Sequence, residues 1–102
     1  MVLHIDTKDQ KKVVVSLRQD QGGKVVRSLS EDRKYGSQVL LSLITKLLYL
    51  KKMSFEDLDE IRVETGPGSF TGLRVGVSVA NALGYSLGIP VNKKKLETEL
   101  VY

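Results

Sequence analysis

The sequence has no cysteine among its 102 residues and a single histidine, His4. The first absence excludes disulfide scaffolds, thiolate zinc sites and cysteine nucleophiles. The second excludes a two-histidine metal site built by one chain. Neither sign of charge dominates: sixteen Lys and Arg against twelve Asp and Glu leave +4. That excess is too mild and too scattered to point to nucleic acid, although a pI of about 9.4 keeps the class open. No apolar run is long enough for a membrane. Residues 66–91 carry one charge, Arg74, but the helical part, residues 73–87, falls short of the roughly 20 apolar residues a span needs and contains Ser78, Asn81 and Ser86. A buried helix is the expectation. The first residues alternate at once through Leu3, Ile5 and Asp6, without the basic flank and apolar stretch of a signal peptide, so a cytoplasmic protein is expected. With 41% hydrophobic and 27% charged residues, what remains is one ordinary globular domain with little room for a second.

Alternation with a period of two predicts strands over residues 2–6 and 12–18, and Gln21, Gly22 and Gly23 supply a turn into a third over 24–29. From Ser37, a plausible N-cap, the period lengthens. Leu40, Leu43, Ile44, Leu47 and Leu48 share one helical face, and Lys51 and Lys52 suit the negative end of the helix dipole. Ser54 and Asp57 are spaced as a capping box, and the cluster Glu56, Asp57, Asp59 and Glu60 reads as a solvated helix start rather than a metal site. Ile61, Val63 and Thr65 form a fourth strand ending at Gly66, Pro67 and Gly68. A helix over residues 70–87 follows, closed by Gly88 and Pro90, and residues 89–92 form a short fifth strand. The predicted order βββαβα(β) is that of the α/β half-lobe shared by RNase H-like and actin-like folds, a five-stranded mixed sheet with two helices mainly on one face. Residues 1–92 make this lobe, and residues 93–102 read as a polar C-terminal tail.

Two features bear on function. Gly66, Gly68, Ser69 and Thr71, with Arg74 nearby, combine a glycine loop with a helix start, where outward N–H groups receive anions. A tight strand-to-helix turn capped by Ser69 or Thr71 explains the same residues without a ligand. Gly72, Gly76, Ala80, Gly84 and Gly88 recur every fourth residue, and each interior glycine costs about 1 kcal/mol against alanine, so a close neighbour must offset the stripe. That neighbour is either the chain's own sheet and first helix or another protein.

The string Thr65-Gly66-Pro67-Gly68-Ser69-Phe70-Thr71-Gly72-Leu73-Arg74-Val75-Gly76, continuing through Ala80-Asn81-Ala82-Leu83 to Leu87-Gly88-Ile89-Pro90, resembles the signature of the TsaB (YeaZ) family. Asp6-Thr7 and the leucine-rich stretch from Ser37 add to a likeness that spans residues 2–91. The resemblance implies an actin-like ATPase fold and a non-catalytic subunit of the bacterial machinery for threonylcarbamoyladenosine in tRNA. It further implies pairing through N-terminal helices with TsaD, the paralogue that performs the transfer, with the ATPase TsaE joining them and a homodimer in isolation. On this reading tRNA is met only indirectly, no cofactor is expected, and the partner interface comprises Leu40, Ile44, Leu47, Gly72, Gly76, Ala80 and Gly84. TsaD carries a histidine pair shortly after the segment that reads Ile89-Pro90-Val91 here, and this sequence has none there.

Departures from the family are also visible. Family members carry a second lobe, Lys8 stands where Ser is common, and Arg62 and Glu64 replace small residues in the fourth strand. With His4, Asp6, Lys12, Ser16, Arg18, Lys24 and Ser28, these two predict one polar sheet face that meets solvent. A phosphate-binding module using the glycine loop is the alternative function. Direct tRNA contact by Lys11, Lys12, Lys93, Lys94 and Lys95 is a third.

Overall fold

The computed structural model describes residues 1–20, 22–32 and 37–101. Alternating residues form strands β1 (Val2–Asp6), β2 (Lys12–Arg18), β3 (Val25–Asp32) and β4 (Glu60–Val63), arranged in the order β3-β2-β1-β4. The first three make an antiparallel meander, and β4 lies parallel to β1. Register brings Leu3 opposite Leu17 and Ile61, and Ile5 opposite Val15 and Val63. Because successive side chains point to opposite faces, the same register sets His4 between Ser16 and Arg62 on the other side.

Helices α1 (Ser37–Leu50) and α2 (Phe70–Leu87) cover the apolar face. Leu40, Leu43, Ile44, Leu47 and Leu48 of α1 and Val77, Val79 and Ala80 of α2 join the inward strand residues in one buried cluster. Each such Leu, Ile or Val contributes about 1.5–3 kcal/mol by leaving water, so the paired helical stripes determine which face they cover. The Ser37 side chain, and the turn expected at Gln21, lie outside the described residues. The flank of that turn is described: Gln19 N–H donates to the Lys24 carbonyl at 2.9 Å.

Among the described residues the sheet has four strands where five were expected. Pro90 and Asn92 do pair with β4, since Ile61 N–H donates to the Pro90 carbonyl at 3.0 Å and Asn92 N–H to the Ile61 carbonyl at 2.8 Å. The chain then leaves the extended region, because Asn92 and Lys93 take φ of 53° and 64°, and only a bridge at Val91 survives. The Asn92 side chain continues what the backbone abandons. Its amide accepts from Val63 N–H at 2.9 Å and donates to the Val63 carbonyl at 3.0 Å. Strand β3 extends to Asp32, beyond the expected residue 29, because β2 keeps pairing as far as Lys12 opposite Asp32.

The stretch after residue 92 folds back on the lobe. Glu97 is buried, its main chain clasped by Asn81: the Glu97 N–H donates to Asn81 Oδ1 and the Asn81 amide donates to the Glu97 carbonyl, both at 2.8 Å. Val101 N–H donates to the Thr65 carbonyl at 2.8 Å.

Candidate functional site

The glycine loop is closed by the chain's own backbone. Ser69 N–H donates to the Lys8 carbonyl at 2.9 Å, and the Ser69 hydroxyl accepts from Gly72 N–H at 3.3 Å, capping α2. A Cβ on Gly68 would stand 2.6 Å from the Lys8 Cβ, and one on Gly66 would collide with the Val101 carbonyl. Thr71 and Arg74 are exposed, and the Arg74 guanidinium lies 5.3 Å from the centre of the Phe70 ring. The five candidate anion-binding residues are therefore gathered at one helix start. A helix cap and the close approach of residues 8 and 101 account for Ser69, Gly68 and Gly66 there.

The glycine stripe faces inward. The Thr7 hydroxyl, fully buried, donates to the Gly72 carbonyl at 2.6 Å, and a Cβ on Gly76 would run into that hydroxyl. One on Gly84 would stand 2.5 Å from Val91 Cγ2. Gly88, at φ 68°, is the left-handed residue that ends the helix. Leu40, Ile44 and Leu47 are likewise buried in the core. The expectation that these three, with Gly72, Gly76, Ala80 and Gly84, form a partner surface is corrected: all seven are covered by the chain itself. Sheet and helix must approach closely to exclude water from a core this small, and the missing side chains make that approach possible.

The opposite side of the two helices is open. Leu41 of α1 and Ser78, Val79, Ala82, Leu83 and Ser86 of α2 line a groove of about 330 Å³. Ser78, Ala82 and Ser86 recur at i, i+4 and form a low ridge, with Leu41 still 37% exposed beside it. The sequence carried this signal, but the serines stood out there only as interruptions of an apolar run.

The polar face of the sheet carries no helix among the described residues and opens into a cavity of about 520 Å³ that includes His4, Arg18, Arg62 and Glu64. Glu64 bridges His4 Nε2 at 2.9 Å and Lys8 Nζ at 3.2 Å, and Arg62 pairs with Glu60 at 2.6 Å. Burial, seconded by Arg18, pushes the His4 imidazole below its ordinary value despite Glu64. Burial opposes the Glu64 carboxylate, but the hydrogen bonds from Lys8 and His4 outweigh it and hold that group below the usual range. The acidic cluster is likewise spoken for: Asp59 takes the N-terminal ammonium, and Asp57 accepts from Ser54 N–H at 2.8 Å. Among the described residues, no group of three or more His, Asp and Glu is placed to hold a metal ion, and no helix is long and apolar enough to cross a membrane.

Residues 17–93, from the end of β2 past α2, match the model of the TsaD family, described as tRNA N6-adenosine threonylcarbamoyltransferase. The chain is 35% identical over 98 residues to the tRNA threonylcarbamoyladenosine biosynthesis protein TsaB of Bacillus subtilis, covering 95% of this chain and 42% of that relative. It is 39% identical over 69 residues to the TsaB protein of Buchnera aphidicola from Schizaphis graminum, covering 67% of this chain and 33% of the relative. YeaZ from Pseudomonas aeruginosa superposes with a TM-score of 0.71 at 30% identity, over 88% of this chain and 40% of that one.

The chain belongs to the TsaB/YeaZ family, within the wider TsaD-like group. It spans between 33% and 42% of the length of these relatives. The stretch that matches the family model contains α1, the glycine loop and α2, so the groove between the helices lies within the part held in common.

Proposed function

We propose that this chain is a non-catalytic scaffold subunit in the formation of threonylcarbamoyladenosine in tRNA, and that it binds a TsaD-type transferase through the outer face of α1 and α2. The groove lined by Leu41, Ser78, Ala82 and Leu83 carries this reading, because it is an apolar surface at the junction of two helices that the chain leaves uncovered. Small side chains at Ser78, Ala82 and Ser86 let a partner helix settle at the 8–10 Å axial spacing typical of packed helices. Leu41, 37% exposed, supplies the α1 side of the contact. A standard interface takes about 800 Å² from each partner, a modest share of the 6242 Å² that this chain exposes. Paired helices from each subunit then make a four-helix layer, and in the absence of TsaD a second copy presents the same surface. TsaE joins the larger assembly, and the scaffold role itself requires no direct contact with tRNA.

The test is the mass of the complex formed when the chain is mixed with TsaD from the same organism. A 1:1 species is expected by light scattering. Ala82→Arg, at an exposed position, should abolish it while leaving the circular dichroism spectrum unchanged. A complex of unchanged mass with the Ala82→Arg chain, or none with the wild type, overturns the proposal.

A further inference from the structure

The far end of α2 carries a second surface that the scaffold reading does not use. Gly88 stops the helix, and the left-handed residues Asn92 and Lys93, at φ 53° and 64°, turn the chain back beside the last helical turn. The result is a groove of about 660 Å³ lined by Tyr85, Ile89, Pro90 and Leu96 together with Lys93, Lys94 and Lys95. Tyr85 stands 84% exposed, so nearly all of an aromatic ring faces water. Lys94 is tied to Glu97 at 3.1 Å, whereas Lys93 and Lys95 are exposed and enter no ion pair among the described residues. Glu97, the first acid after the lysines, is turned inward: it accepts from the Asn92 amide at 2.8 Å and from the N–H groups of Thr98 and Glu99 at 3.0 Å.

We infer that this groove binds single-stranded nucleic acid, with a base stacked on Tyr85 and the flanking phosphates on Lys93 and Lys95. A helix C-terminus attracts lysines through its dipole, which explains the charges but not the exposed ring. An unpaired nucleotide supplies both counterparts at once, a flat π face and an adjacent anion, and every base has such a face. An acidic peptide would answer the lysines and leave the ring and its apolar surroundings unmatched. Lys11 and Lys12 take no part. Helix α2 starts beside Lys8 and runs 18 residues, about 27 Å at 1.5 Å per residue, so those lysines sit at its opposite end.

Fluorescence anisotropy with a fluorescein-labelled 12-nucleotide single-stranded RNA of mixed sequence tests this on the chain alone, without TsaD, so it stands or falls separately from the scaffold proposal. Tyr85→Ala should weaken binding about 5- to 100-fold, and Tyr85→Phe should retain it. The double variant Lys93→Gln/Lys95→Gln should bind more weakly and lower the slope of log affinity against log salt by about 1.4, two phosphate contacts' worth on a single strand. Lys11→Gln/Lys12→Gln serves as the control that keeps both. All these side chains are exposed, and a circular dichroism spectrum confirms folding. Failure of the wild type to bind, an undiminished affinity in Tyr85→Ala, or equal binding of a labelled poly-glutamate 12-mer each overturns the inference, the last by assigning the groove to acidic protein.

Discussion

The hydroxyl of Thr7, just past β1, donates to the carbonyl of Gly72 in the first turn of α2 at 2.6 Å, and the same hydroxyl fills the space where Gly76 lacks a side chain. Sheet and helix are locked at this point, and the glycine stripe is thereby consumed inside the molecule.

Gly76→Ala tests the lock. Alanine gains about 1 kcal/mol of helix propensity, but its methyl meets a buried, hydrogen-bonded oxygen that has nowhere to retreat, and overpacking typically costs about 1–3 kcal/mol. The clash should win, lowering the urea midpoint. Thr7→Ala/Gly76→Ala should recover part of the loss, giving a non-additive double-mutant cycle. Additive effects would show that the two residues do not share this space.

Ala80 distinguishes inside from outside. The reading of the stripe as a partner surface makes Ala80→Leu a disruptor of assembly with little effect on folding. Since Ala80 is fully buried, the substitution should instead destabilise the chain by about 1–3 kcal/mol in chemical denaturation. An Ala80→Leu chain as stable as the wild type would return the stripe to the surface.

The cap at α2 should behave as a cap. Ser69→Ala should cost about 1 kcal/mol and Ser69→Asp should preserve stability. Calorimetric titration with ATP, ADP or AMP should show no heat. Saturable nucleotide binding that Ser69→Ala removes would restore the phosphate-binding alternative for the loop.

Stability should decline on acidification in two steps. His4 has a folded pKa below its ordinary 6.5, so the unfolded chain binds the extra proton first, and stability falls as pH drops below 6.5. Glu64 and Glu97 are also held below the ordinary 4.5. Burial opposes the Glu97 charge, but hydrogen bonds from Asn92, the Glu99 N–H and Lys94 outweigh it. Their contribution is present above 4.5 and is lost as pH falls toward the folded values. Melting temperatures from about pH 8 to about pH 3 should therefore show both declines, with His4→Gln flattening the upper and Glu97→Gln the lower. A profile that neither variant alters would contradict these assignments.

Most of the secondary structure was legible because it rests on local periodicity. Leu3 and Ile5, or Leu40, Ile44 and Leu47, declare their buried side by spacing alone. Asn81, Asn92 and Glu97 did not, since their partners are set by how the chain doubles back after Val91. A tail whose composition reads as polar thus holds a buried carboxylate. Nor did spacing identify the open helical face. Gly76 and Ala82 lie on the same short-residue helix, and no local rule tells which flank the sheet will occupy.

The amino-acid order by itself determined four strands, the two helices, a capped start of α2 at Ser69 or Thr71 and the family signature, because each depends on residues within a few positions of one another. The tertiary structure alone decided that the glycine flank is spent on Thr7 and Val91, and that Ala82 and Tyr85 remain outside. Those outcomes depend on which surfaces compete for the limited buried volume of a small lobe, and that competition is settled only when sheet and helices pack together.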